Sequence, residues 1–214
     1  TYRQSSVLRE GDLERDPGNV FLARASRLNL PGDILRDKAL ATSGLLVPVT
    51  GGPSVKPYQP AGMWKEASNA RYVQDKGDKL YRRSLYTYRK RTLAPPTMAV
   101  LDTADREWCS VKPKRTNTPL QALVLMNETG FFESARKLGE RMLTEGGDSA
   151  EDQLRFAFRK VLTRHPQPAE LALLSNSYQA YKNDYAKDPR LAESILTVGE
   201  STADDSVDRI QLAA

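Results

Sequence analysis

Apolar residues recur at helical spacing through the second half of this chain, whereas the first quarter holds no sustained period of either kind. Residues 1–30 are polar and irregular, and Asp16-Pro17-Gly18-Asn19 has the composition of a turn. Ile34, Leu35, Ala39, Leu40 and Leu45 then give an apolar side to a helix predicted over Asp33–Ser43, with Gly44 as its stop. Pro48, Gly51, Gly52, Pro53, Pro57, Pro60 and Gly62 follow within fifteen positions, a density of breakers that no regular element survives. Long ordered loops of this kind are often functional. A short helix is predicted over Trp64–Ala70. Tyr81, Leu85 and Tyr88 sit at helical spacing, so Leu80–Thr92 reads as a helix ended by Pro95-Pro96.

Beyond residue 118 the signals sharpen. Thr118-Pro119 reads as an N-cap with proline at the first helical position, opening a strongly apolar helix to Asn127. Phe131, Phe132, Ala135, Leu138 and Met142 predict a second helix over Gly130–Thr144, broken by Gly146-Gly147. Ser149 with Asp152 three residues on starts a third, whose apolar side carries Leu154, Phe156, Ala157, Phe158, Val161 and Leu162. Ala169–Tyr185 and Leu191–Leu196 follow, and Ser206 or Asp208 caps a last helix ending at Ala214. The expected fold is mainly α, with little or no sheet: an irregular, loop-rich N-terminal region packed on a small helical array. We expect one domain over 1–214, with a loop-rich arm carrying one helix over 1–63 and a helical body over 64–214. The abrupt start at Thr1 and end at Ala214 read as a piece of something longer.

Composition narrows the chemistry. Of 214 residues, 39% are hydrophobic and 28% charged, and no apolar run is long enough for a membrane helix. The single cysteine, Cys109, excludes an internal disulfide, and the single histidine, His165, excludes a His-rich metal centre. No CxxCH is present for covalent haem, and no EF-hand-like loop for calcium. The net charge of +5 is concentrated between Arg71 and Arg115, where twelve Lys and Arg face five Asp and Glu. Such a field attracts phosphate, sulfate or carboxylate, or an acidic partner. The plain alternative is that these cations pair with acidic helices elsewhere.

Three stretches carry candidate chemistry. Asp102, Asp105 and Glu107 form the densest carboxylate cluster, and paired carboxylates can divide acid and base roles. Their plain reading is a loop paired with Arg82, Arg83 or Arg115. Arg82 and Arg83 with Tyr86 offer guanidinium forks beside aromatic faces, suited to an anionic sugar or to single-stranded nucleic acid. Arg115, Asn117 and Gln121 surround a helix N-terminus whose N–H groups could hold an anion, or simply cap the helix. The Gly/Pro loop adds Lys56 and Tyr58, and all three stretches are expected to line one polar cleft.

Four segments resemble the hallmarks of one family: Tyr2–Ser6, Gly51–Gly62 (GGPSVKPYQPAG), Tyr81–Thr87 (YRRSLYT) and Arg115–Leu123 (RTNTPLQAL). The family is the planctomycete-specific domain one, a domain of unknown function, and the resemblance covers nearly the whole chain. It implies an accessory or recognition domain at the C-terminal end of a large exported protein that carries a c-type cytochrome. It also implies a periplasmic or extracellular setting and a planctomycete or related source. Haem would belong to a missing domain, so no cofactor and no metal are expected in this chain. The expected partners are the missing N-terminal domains and a polysaccharide or other anionic ligand. A polysaccharide hydrolase or lyase using the Asp102 cluster is the first alternative, and nucleic-acid binding ranks last.

Overall fold

The structure, a computed structural model, describes residues 4–26, 29–67, 71–90, 92–104, 109 and 116–214. It forms two compact units, Thr1–Leu30 and Pro31–Ala214. The first holds one short helix, α1 (Asp12–Arg15), and a turn built around Asp16. The Asp16 carboxylate accepts the amides of Val20 and Phe21 at 2.8 and 2.9 Å, and Asn19 pairs with both backbone polar groups of Arg24.

The second unit holds nine helices among the described residues: α2 (Gly32–Ser43), α3 (Met63–Ala67), α4 (Pro96–Val100), α5 (Pro119–Asn127), α6 (Thr129–Glu145), α7 (Ala150–Leu162), α8 (Pro168–Lys187), α9 (Pro189–Leu196) and α10 (Arg209–Ala213). No strand is present among the described residues, only isolated bridges such as Val47 to Arg82 and Val55 to Thr87. The molecule is thus mainly α, as the periodicity indicates. Local chemistry explains most of the boundaries. Gly44, at φ 82°, closes α2 in the left-handed region that glycine favours. Thr118 and Gln121 form a reciprocal capping box at α5, Ser149 caps α7 through the amide of Asp152, and Asp208 caps α10. The helix expected from Gly130 begins a residue earlier, because the Glu128 side chain accepts the amide of Phe131.

Two expectations are corrected. The described residues of Leu80–Thr92 form no α-helix; short 3₁₀ helices, Gly77–Tyr81 and Ser84–Tyr86, are joined through Arg82 and Arg83. The reason lies in where its backbone bonds go. The carbonyls of Tyr81 and Tyr86 accept from Val47 and Val55, and those of Leu80 and Arg82 accept from the Arg36 guanidinium. An α-helix would have turned these acceptors inward and left the Gly/Pro loop without partners. The second correction concerns α7, which buries no residue fully and leaves Val161 and Leu162 exposed.

Leu40, Leu80 and Tyr81 form a core cluster, with Leu45, Leu46, Val47 and Tyr58 packed against it. Met142, Leu171, Tyr178, Ala192, Leu196 and Leu212 are buried where α6, α8, α9 and α10 meet. α6 joins the two regions, packing on α2 on one side and on α7 and α10 on the other.

Candidate ligand-binding site

The Gly/Pro loop turns through Gly51 and Gly52, both at positive φ, and so presents its carbonyls to the interior. The Arg82 side chain enters this turn. Its Nη1 donates to Pro53 O at 2.9 Å, and its Nη2 donates to Val49 O at 3.2 Å and to Gly51 O. The Tyr86 ring lies 4.0 Å from the guanidinium carbon, and the Tyr86 hydroxyl accepts the Gly51 amide at 2.8 Å. Arg82 is only 7% exposed, so its fork is spent on loop carbonyls. Arg82 and Tyr86 therefore meet, and together they pin the loop. Arg83 points outward to Asp37 at 3.5 Å.

Asp102 and Gln121 meet in a second knot. Asp102 Oδ2 accepts from Thr116 N and Thr116 Oγ1, both at 2.6 Å, and from Gln121 Nε2 at 3.1 Å. Gln121 Nε2 also donates to Val100 O at 3.0 Å, while its Oε1 accepts the Thr118 amide at 3.2 Å. The knot ties the end of α4 to the start of α5. Gln121 is the polar group beyond an ordinary cap, and Asp102 is what it serves. Asn117 is exposed at the same turn. Asp105, Glu107 and Arg115 lie outside the described residues.

Lys56 and Tyr58 lead to two further places. The Lys56 amide donates to Asp75 Oδ2 at 2.7 Å and the Asp75 amide donates back to Lys56 O at 2.9 Å. Tyr72 donates its hydroxyl to Pro57 O. These bonds lay the Arg71–Asp75 stretch along the loop. Burial, followed by the charge of Asp75, pushes the Tyr72 phenol well above its usual range. Trp64 stands between two tyrosines, its ring centre 5.2 Å from that of Tyr72 and 5.8 Å from that of Tyr88. Its indole N–H donates to Gln59 Oε1 at 2.9 Å. The ammonium of Lys90 lies 4.9 Å from the Trp64 ring centre, and that of Lys56 5.3 Å from the Tyr88 ring centre. In front of this stack opens a pocket of about 580 Å³, lined by Gln59, Trp64, Lys65, Arg71, Tyr72 and Gln74 together with the Pro60–Gly62 backbone turn. That volume suits a small organic ligand. No carboxylate and no histidine is among its described lining residues, so the pocket offers stacking, amide and cationic contacts and no acid–base pair.

Tyr58 points the other way, into a buried hub. Glu133, fully buried on α6, accepts from Tyr58 at 3.0 Å, Tyr81 at 2.8 Å, and both Ser201 N and Ser201 Oγ at 2.7 and 2.6 Å. Burial, then the bond to Glu133, pushes the Tyr81 phenol up to about 12. Gly199, at φ 93°, lets the 199–201 backbone approach; a Cβ there would lie 2.4 Å from Glu133 Cδ. Beside the hub is a cavity of about 30 Å³, lined in part by Arg36, Thr87 and Glu128. It has room for about two water molecules and none for a substrate. Burial lowers the Arg36 pKa and raises that of Glu128, the partly compensating influences on Glu128 being backbone amides and Arg36. Among the described residues no group of three or more His, Cys, Asp or Glu is arranged to hold a metal ion.

The Gly/Pro loop, the Arg82–Tyr86 turns and the Asp102–Gln121 knot all lie within residues 1–178, which match the model of PSD1, protein of unknown function (DUF1553). The chain belongs to this family. No curated protein and no solved structure matches it. The PSD1 match therefore places the hallmark segments in one family without attaching a reaction to them. It also covers the aromatic pocket, whose Trp64, Tyr72 and Gln74 the sequence reading passed over. Their signal was present: aromatics seven to nine residues apart, at 64, 72, 81 and 88, flanked by Lys56, Lys65, Arg71 and Lys90. Glu133 had no such signal, since an acidic residue inside an amphipathic helix reads as solvated. Among the described residues, no helix is long and apolar enough to cross a membrane.

Proposed function

We propose that this PSD1 domain is a recognition module that holds an anionic, sugar-like ligand in the pocket before Trp64 and Tyr72. The observation that carries this reading is the chemistry of the lining: two aromatic rings, two amides and two cations, with no carboxylate among the described lining residues. Aromatic faces stack on the apolar faces of sugar rings, amides bond to hydroxyls, and Arg71 suits a carboxylate or sulfate bidentately. The ammonium groups of Lys56 and Lys90, set over the Tyr88 and Trp64 rings, add positive potential near the pocket. The wider setting we propose, a larger exported cytochrome-associated protein, rests on the family resemblance of the hallmark motifs alone.

Isothermal titration with carboxylated, sulfated and neutral oligosaccharides tests the reading. Acidic saccharides should bind and neutral ones of equal length should bind at least tenfold more weakly. Arg71→Ala, at an exposed position, should weaken acidic binding about tenfold to hundredfold without altering the unfolding midpoint. Equal affinity for neutral and acidic chains, or an unaffected Arg71 variant, would remove the proposal. A single-stranded nucleic acid that bound instead, with a steep salt dependence, would move the domain to the other class.

A further inference from the structure

The amide of Gln59 is oriented by its neighbour. Trp64 Nε1 donates to Gln59 Oε1 at 2.9 Å, and an indole N–H can only donate, so the amide oxygen is fixed on the Trp64 side. Nε2 is then the polar atom that Gln59 has left for the pocket it lines, and it donates to none of the described residues. The surroundings hold this orientation. Trp64 is 8% exposed, with Tyr72 and Tyr88 against it and the Lys90 ammonium over its ring. Tyr72 is tied by its hydroxyl to Pro57 O. The backbone is held on both sides of Gln59: Tyr58 is anchored on Glu133, and Pro60 narrows the angles open to the residue before it. A donor fixed in advance in this way loses little freedom when a ligand meets it.

The side chains of the pocket mostly donate. Lys65 and Arg71 have no acceptor, the Tyr72 hydroxyl hydrogen is committed to Pro57, and Gln59 offers N–H alone. Among the described lining side chains, Gln74 keeps the one amide oxygen that is not already bonded. A sugar hydroxyl both donates and accepts, and it meets few side-chain acceptors here. An ionised carboxylate or sulfate ester only accepts, and it meets donors on several sides.

We infer, on the anionic-ligand reading above, that Gln59 is the specificity-determining residue of this pocket: its Nε2, aimed by Trp64, donates to an oxygen of the ligand's carboxylate or sulfate and so tells an acid from its neutral counterpart. Arg71 and Lys65 attract the anion by charge, which salt screens. Gln59 carries no charge, so its share is a directional bond that salt leaves in place. A hydrogen bond to a charged group is worth about tenfold to hundredfold in affinity.

Titration of the whole chain with the carboxylated, sulfated and neutral oligosaccharides named above tests this in two variants. Gln59→Glu keeps an oxygen for the Trp64 N–H and replaces the donors by an acceptor. Its urea midpoint should match wild type, its affinity for acidic chains should fall at least about hundredfold, and its affinity for neutral chains should stay within about threefold. Gln59→Met, uncharged and of similar length, separates the lost donor from the added charge. Its affinity for acidic chains should fall about tenfold, by the same factor at low and high salt. Acidic chains that bind wild type and both variants equally overturn the role of Gln59 and leave the anionic reading standing. An equal loss of acidic and neutral binding also overturns it, because Gln59 then only supports the rings. Failure of every acidic chain to bind wild type removes the anionic reading itself, and the role of Gln59 with it.

Discussion

The irregular region from Leu45 to Thr103 and the helical array from Thr129 to Ala213 are stabilised in opposite ways. In the array the helix backbone bonds are local and most ion pairs, such as Arg164 with Glu170 and Arg209 with Glu193, lie at the surface, whereas Glu133 and the Arg136–Glu140 pair of α6 are buried and hold the non-helical backbone at Ser201 and Asp204. In the irregular region the backbone has few neighbours of its own to bond. Buried side chains supply the partners instead: Arg82 for the loop carbonyls, Arg36 for Leu80 and Arg82, Asp37 for the Ser84 amide at 2.6 Å. Arg82 and Arg36 each satisfy three groups at once. Loss of either leaves all of its partners unpaired, whereas an exposed pair regains water on both sides. The lesson is that buried polar side chains matter most where backbone lacks regular partners, in the irregular region and at the Ser201 stretch that Glu133 of α6 holds.

That contrast can be broken by substitution. The largest effect is expected at Glu133, where Ala strands two tyrosine hydroxyls and both Ser201 donors. Urea unfolding of Glu133→Ala should show a loss of about 3 kcal/mol or more. A loss below 1 kcal/mol would mean that water replaces the carboxylate readily and that the hub is not a stabilising centre.

Next comes Arg82→Ala, which frees the carbonyls of Val49, Gly51 and Pro53. We expect about 2–3 kcal/mol, together with faster amide exchange at Gly51, whose own bond runs to Tyr86. Protection unchanged at Gly51 would show that the loop holds its shape without the pin.

The smallest effect is expected at the surface of the array. Arg164→Ala should leave the urea midpoint at pH 7 within error, since both partners of that pair are exposed. The Arg164 guanidinium, then the Gln167 amide, holds the Glu170 carboxyl down to about 2 against a usual 4.5. A depressed carboxylate stabilises above its unfolded pKa, and that contribution is lost as pH falls from about 4.5 towards 2. Any difference between wild type and the variant should therefore vanish in that window, and one that grew on acidification would reverse the sign argued here.

Helices α5 to α10 were legible because their signals are local. Thr118-Pro119, Ser149 with Asp152, and Asp208 each state a boundary within four residues, and apolar spacing states the face. The candidate site was legible only in pieces. Arg82 with Tyr86, and Asp102 with Gln121, were singled out and do meet, but each pair closes on backbone that the spacing of the residues could not reveal. The pocket itself depends on Asp75 bonding Lys56 nineteen positions away and on Tyr72 reaching Pro57 across fifteen.

Sequence alone determined the helical class, most helix limits, the breaker-rich loop and membership of PSD1, because capping, periodicity and proline act over a few residues. Only the tertiary structure decided that Leu80–Thr92 abandons the helix and that Glu133 is buried beneath a serine 68 residues away. A backbone acceptor or a carboxylate goes wherever its best donor lies, and for these groups the donors are distant in the chain.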